Sequence, residues 1–159
     1  TGHDGPVIVV TGDSPMLQQS SIAALLDVYE STHCACALGT VRTDDPQGWG
    51  RIVRDDHGAF VGIVEEKDAT DQQRQIQEVN ASTYLFDAPS LLWALDKLTN
   101  DNAQQEYYIT DCPSILLKAD RRVEALNVLQ PCEALGINTP ADLAAVEAEM
   151  TRMSSAAGT

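Results

Sequence analysis

Four consecutive apolar residues, Val7-Ile8-Val9-Val10, stop at Thr11-Gly12-Asp13-Ser14-Pro15. The run has no helical period and is too short to span a bilayer. It predicts a strand buried on both faces, at the centre of an α/β sheet. Gly12 breaks that strand, and Asp13 stands at its carboxyl end. In open α/β sheets, ligands lie in the crevice beyond the carboxyl ends of the strands. Asp13 is therefore a candidate carboxylate for a metal or phosphate site. The alternative is that Asp13 and Ser14 only start a turn and cap the next helix. This stretch alone leaves both readings open.

Helical and strand patterns alternate along the rest of the chain. Ser20-Ser21 offers a cap for a helix carrying Ile22, Leu25, Leu26 and Tyr29. Cys34 to Val41 is apolar and predicts a strand, and a Pro/Gly-punctuated loop follows to Gly50. Strands near Arg51–Arg54 and Ala59–Glu65 flank a hairpin turn, Asp55-Asp56-His57-Gly58. Glu78 to Phe86 alternates as a strand does, and Pro89 then sits where the first turn of a helix tolerates it. Thr110-Asp111 leads a helix through Leu117, and Val123 to Val128 reads as a strand. Thr139 and Pro140 are the natural N-cap and first residue of a last helix bearing Leu143, Val146 and Met150. Residues 1–6 and 151–159 are expected to be disordered, leaving one domain over 7–150. The predicted architecture is α/β, with a mostly parallel sheet and an antiparallel hairpin excursion.

Charge narrows the classes of function. The 159 residues carry 24 acidic and 10 basic side chains, a formal net charge of -14. Such a chain repels nucleic-acid backbones and anionic membrane surfaces unless its basic residues cluster. They are scattered, and Arg121-Arg122 is the only adjacent pair. Phosphates can still bind locally, through backbone N–H groups and a divalent metal. Cys34, Cys36, Cys112 and Cys132 form no C-x-x-C pair. They read as buried structural thiols before zinc ligands or disulfides, which favours a reducing, cytoplasmic setting.

Several short stretches are polar where a plain scaffold would not need it. Gly48-Trp49-Gly50-Arg51 could bring backbone close to a ligand, or be an ordinary loop with Trp49 in the core. Glu65 in Glu65-Glu66-Lys67-Asp68 ends a strand, where it could accept hydroxyl hydrogen bonds or belong to a solvated charge run. Asn80 offers donor and acceptor from a strand, or faces solvent at an edge. Gln104 to Asp111, with Tyr107 and Tyr108, is either a helix start or a pocket wall. Asn138 is a turn residue or a metal ligand.

Taken in order, the segments GDSP, DPQGWGRIVRD, IVEEKDAT, QIQEVNASTYLFDA, NAQQEYYITD and GINTPADL resemble N-acetylglucosamine-1-phosphate uridylyltransferase. This is the nucleotidyltransferase half of a bifunctional enzyme that makes UDP-N-acetylglucosamine. The resemblance runs from Val7 to about Met150 and implies a Rossmann-like nucleotidyltransferase fold. It also implies Mg²⁺, UTP and N-acetylglucosamine 1-phosphate. By this resemblance Asp13 and Asn138 hold the metal, with Asp13 the catalytic residue, and Thr11 and Gly12 contact the nucleotide-sugar. Gly50, Glu65 and Asn80 match its sugar-binding residues, and Tyr108 and Thr110 lie in the segment that lines the sugar-phosphate pocket.

The chain departs from the family pattern at several points. The Gly-rich basic loop and uracil-reading segment that open the family do not precede Asp13. The hexapeptide repeats of its acetyltransferase part are not in the sequence either. Thr11 and Trp49 replace tyrosines, and Ala81-Ser82 replaces a threonine-glycine pair. The fold is therefore expected to be incomplete at its N-terminus, with little turnover from the 159 residues alone and with self-association through uncovered apolar edges. Two rival readings remain: a transferase for another base or sugar, and a non-catalytic nucleotide-sugar-binding remnant.

Overall fold

The strand that organises the sheet is Glu78–Asp87, not the apolar run near the start. The computed structural model describes residues 2–102 and 104–157. Among these are six strands: β1 (Pro6–Val9), β2 (Cys36–Arg42), β3 (Gly50–Arg54), β4 (Phe60–Val64), β5 (Glu78–Asp87) and β6 (Val123–Leu126). Four helices accompany them: α1 (Gln19–Thr32), α2 (Ala88–Leu95), α3 (Cys112–Lys118) and α4 (Pro140–Ala157). The path β4-β3-β5-β2-β6 makes one sheet, and β1 joins it on β5.

The expected α/β class holds, but the sheet is mixed rather than mostly parallel. Only β2 and β6 pair in parallel; β1, β2 and β3 each pair antiparallel with β5, as β4 does with β3. The reason is one inserted strand. β1, β2 and β6 do run the same way, as their intervening helices predict. β5 then lies antiparallel between β1 and β2 and reverses both pairings.

This arrangement also corrects the first reading of Val7–Val10. β1 pairs with β5 alone, and Ile8 and Val10 are 45% and 44% exposed. β5, whose sequence alternates like a half-exposed strand, is buried along nearly its whole length. Its outer half pairs Phe86 with Val7 on one edge and with Cys36 on the other. Its inner half pairs Asn80 with Gly50 and Val79 with Arg51. β1 and β3 therefore share one edge of β5, end to end, and leave a gap opposite residues 81–83.

Side-chain alternation splits the core across the sheet. Cys36, Leu38, Tyr84 and Phe86 pack with Leu91 and Ala94 of α2 and Cys112 and Leu116 of α3. Ala37 and Leu85 point the other way, onto Leu25 of α1. All four cysteines are free and buried, as structural thiols would be, and burial pushes the Cys112 thiol up to about 11. No helix among the described residues is long and apolar enough to cross a membrane.

Among the described residues, regular structure begins at Pro6 and runs to Ala157. Pro6 is already in β1, and the Gly5 carbonyl accepts from Ala88 N–H at 3.2 Å. α4 continues to Ala157, because Arg152 pairs with Glu149 one turn back and Met153 packs beside Met16, Cys132 and Val146. Residues 1, 158 and 159 lie outside the described residues.

The β2–β5 register skips Ala81 and Ser82, so β5 bulges there. Ser82 has φ +54, in the left-handed region. A non-glycine residue held there costs about 1 kcal/mol or more. Ser82→Gly is therefore expected to stabilise the fold by roughly 1 kcal/mol, raising the melting temperature by about 2–4 °C. A thermal scan showing no gain would mean that the left-handed backbone at Ser82 costs no more than the extra freedom glycine gives the unfolded chain.

Candidate active site

A cavity of about 720 Å³ opens beside the gap between β1 and β3. Thr11, Asp13 and Ser14 enter it from the turn after β1, and Gln47 to Gly50 from the loop before β3. Glu65 follows β4, Asn80 to Ser82 form the bulge of β5, and Thr110 precedes α3. Ala134, Leu135, Gly136, Asn138 and Asp142 close the remaining side, and Asp45 also reaches the wall.

Seven of the residues singled out in the sequence thus meet in one place: Thr11, Asp13, Gly50, Glu65, Asn80, Thr110 and Asn138. Two do not line the wall. Gly12 is exposed, with open space beside its Cα. Tyr108 is held to one side, its hydroxyl accepting from Gln104 Nε2 at 2.7 Å. Gln104 Oε1 accepts from Lys67 Nζ at 2.6 Å, so it ties the tyrosine segment to the loop after Glu65.

Asp13 and Asn138 come together although 125 positions separate them. A Cβ at Gly136 would lie 3.8 Å from Asp13 Oδ2 and 3.7 Å from Asn138 Nδ2. A backbone bond joins the two segments, Ile137 N–H donating to the Asp13 carbonyl at 2.9 Å. Thr139 caps α4 as expected: its Oγ1 accepts from Asp142 N–H, and Asp142 Oδ2 accepts from Asn138 and Thr139 N–H. The Thr139 hydroxyl and these backbone donors hold the Asp142 carboxyl below its usual range.

On the facing wall, Gly50 makes room for Glu65. A Cβ there would stand 3.1 Å from Ile63 and 3.4 Å from both Glu65 carboxylate oxygens. Asn80 is buried, not at a solvated edge; Oδ1 accepts from Ser82 N–H, and Nδ2 donates to the Tyr84 hydroxyl at 2.8 Å. An amide has two donors and two acceptor positions, so one of each remains for a ligand. Trp49 packs on the Val41, Val79, Ala81 and Leu129 cluster, the core role expected of it, and also lines the cavity.

Arg51, the residue after Gly50, points into the protein and is 1% exposed. It donates to the Trp49 carbonyl and to the Arg74 carbonyl, and its Nη2 lies 2.6 Å from Glu66 Oε2. One guanidinium therefore fixes the strand ends that carry Gly50 and Glu65.

Among the described residues the wall bears four carboxylates, from Asp13, Asp45, Glu65 and Asp142, and no lysine or arginine. An anionic substrate would be repelled here unless a cation came with it. Asp13 and Asn138 offer oxygens only, which suits Mg²⁺, an ion that keeps waters and takes its other ligands from phosphates. Among the described residues no cluster of three or more His, Cys, Asp or Glu could hold a metal by itself. Asp45, Gln47 and Asp142 escaped the sequence reading. The T-x-x-D spacing marks Asp142 only as a capping partner, and the loop holding Asp45 and Gln47 has no period to orient them.

The fold around this cavity is that of nucleotidyltransferases. A protein of Bacillus anthracis assigned as a glucose-1-phosphate thymidylyltransferase, solved with sucrose, superposes with a TM-score of 0.66. The match has 16% identity and covers 91% of this chain and 54% of that one. The 4-diphosphocytidyl-2C-methyl-D-erythritol synthase of Anaerococcus prevotii gives 0.58 at 14% identity, over 92% and 58% of the two chains. No protein-family model matches the chain.

By sequence the chain is similar to proteins described as bifunctional protein GlmU. It is 41% identical to that of Listeria innocua over 151 residues, covering 95% of this chain and 33% of the relative. It is 46% identical to that of Heliobacterium modesticaldum over 145 residues, covering 89% and 31%. The chain spans about a third of the length of these curated relatives, an extent that fits part of a nucleotidyltransferase domain.

Proposed function

We propose that this chain supplies the sugar- and metal-binding wall for uridylyl transfer from UTP to N-acetylglucosamine 1-phosphate, giving UDP-N-acetylglucosamine and pyrophosphate. The observation that carries the reading is the cavity itself, with Asp13 and Asn138 on one wall and Gly50, Glu65 and Asn80 on the other.

The chemistry asks for little from protein nucleophiles. A sugar-phosphate oxygen attacks the α-phosphorus of UTP, and pyrophosphate leaves; catalysis is positioning and charge neutralisation. Among the described residues no His or Cys lines the cavity. When bound, Mg²⁺ offsets the negative charge of the phosphates. Asp13 and Asn138 would hold it, through a carboxylate oxygen and an amide oxygen. Glu65 accepts hydrogen bonds from hexose hydroxyls, and Gly50 leaves space for the ring over the β3 edge. Asn80 holds the bulge and offers its free donor and acceptor to the sugar.

The test is calorimetric titration of the chain with UDP-N-acetylglucosamine, UDP-glucose and dTDP-glucose, each with and without Mg²⁺. Tightest binding of UDP-N-acetylglucosamine, strengthened by Mg²⁺, is expected. Tighter binding of another nucleotide-sugar would move the assignment to a different substrate. Binding indifferent to Mg²⁺ would remove the metal from the reading.

A further inference from the structure

We infer that Glu133 is a positioning residue for the Asp13–Asn138 pair; the inference rests on the metal-site reading above. Glu133 is only 3% exposed, yet among the described residues its carboxylate pairs with no cation. Instead Oε1 accepts from Gln18 N–H at 2.9 Å, and Oε2 accepts from the Ser21 hydroxyl at 2.6 Å and from Gln130 N–H at 2.7 Å. Gln18 is the N-cap of α1, and its own side chain makes no capping bond. A residue 115 positions away therefore caps this 14-residue helix. The positive end of α1 and three donors face this buried carboxylate, which has no ion-pair partner among the described residues.

The placement gives the contact a purpose beyond capping. Gln18 lies five residues after Asp13, and Glu133 five residues before Asn138. Between them, Ile137 N–H bonds to the Asp13 carbonyl. The two segments are thus pinned twice, and the Glu133 pin sets where the 134–138 turn sits against the turn after β1. Residues that orient metal ligands in this way typically change metal affinity about 10- to 100-fold when altered.

Glu133→Gln keeps the shape but turns an N–H group towards N–H donors. Ser21→Ala removes one donor and leaves the carboxylate. Both variants are compared with the wild type by hydrogen exchange and by titration with UDP-N-acetylglucosamine with and without Mg²⁺. The expected result for Glu133→Gln is faster exchange at the Ile137 amide, unchanged exchange along β5, and about a 10-fold loss of affinity confined to the Mg²⁺ condition. Ser21→Ala is expected to show the same pattern, smaller. Equal loss with and without Mg²⁺, or β5 exchange rising with that of Ile137, would reduce Glu133 to a fold residue and overturn the inference. Unchanged exchange at Ile137 would overturn it as well. If the wild type shows no Mg²⁺-dependent binding, the metal-site reading fails, and with it the role given to Glu133. If the wild type binds with Mg²⁺ and Glu133→Gln binds equally well, only the role of Glu133 fails.

Discussion

Asp13→Ala is expected to weaken Mg²⁺-dependent binding of UDP-N-acetylglucosamine by more than about 100-fold, beyond the range seen when only a ligand's support is altered. The same substitution should leave folding almost untouched. Asp13 is exposed, and the Ile137 amide is held by its backbone carbonyl, which alanine retains. Among the described residues its carboxylate accepts no hydrogen bond, so the fold does not use it. Surface changes of this kind shift stability by within roughly 0.5 kcal/mol. Titration calorimetry and a thermal scan on one preparation separate the two effects. Full Mg²⁺-dependent affinity in the variant would show that the ion, if bound, is held elsewhere.

Arg51→Met is expected to do the opposite, acting first on stability. The side chain is buried, and it satisfies the Trp49 and Arg74 carbonyls while lying against Glu66. Removing one member of a buried pair typically costs about 3–5 kcal/mol, because the other charge is left without compensation. Glu66 is 30% exposed and can turn towards water, so the lower end, about 3 kcal/mol, applies here. For a chain of this length that lowers the melting temperature by roughly 10 °C. Equilibrium urea unfolding measures the loss. Adding Glu66→Gln should recover part of it, since the stranded charge is then gone. A loss below about 1 kcal/mol would mean that the clamp contributes little against its own desolvation.

Much of this architecture was legible because local chemistry and tertiary structure agree. Thr139-Pro140 caps α4, Pro89 opens α2, and Asp55-Asp56-His57-Gly58 turns a hairpin, each for reasons contained within four or five residues. What could not be read was long-range. Val7–Val10 has the composition of a central strand, but pairing partners decide centrality, and β1 has only β5. The polar residues of β5 suggested one wet face, whereas Asn80 and Tyr84 on that face are buried. Ser20-Ser21 looked like a helix cap, while the cap is Glu133, far downstream. At the site, residues marked by an unusual setting were found: a glycine before a strand, a carboxylate ending one, an amide inside one. Asp45, Gln47 and Asp142 sit in settings that turn and capping chemistry already explain, and only the folded geometry brings them to the wall.

The way β1 and β3 are seated on the same side of β5 makes that strand a ruler for the cavity. The width of the opening depends on which rung of β5 each one reaches. Rungs are about 3.3 Å apart, and a shift by one would turn every side chain of the moved strand to the wrong side. Only double steps, of roughly 7 Å, keep the interior dry. An opening framed this way resists gradual widening, so finer changes to its shape fall to the loops that overhang it.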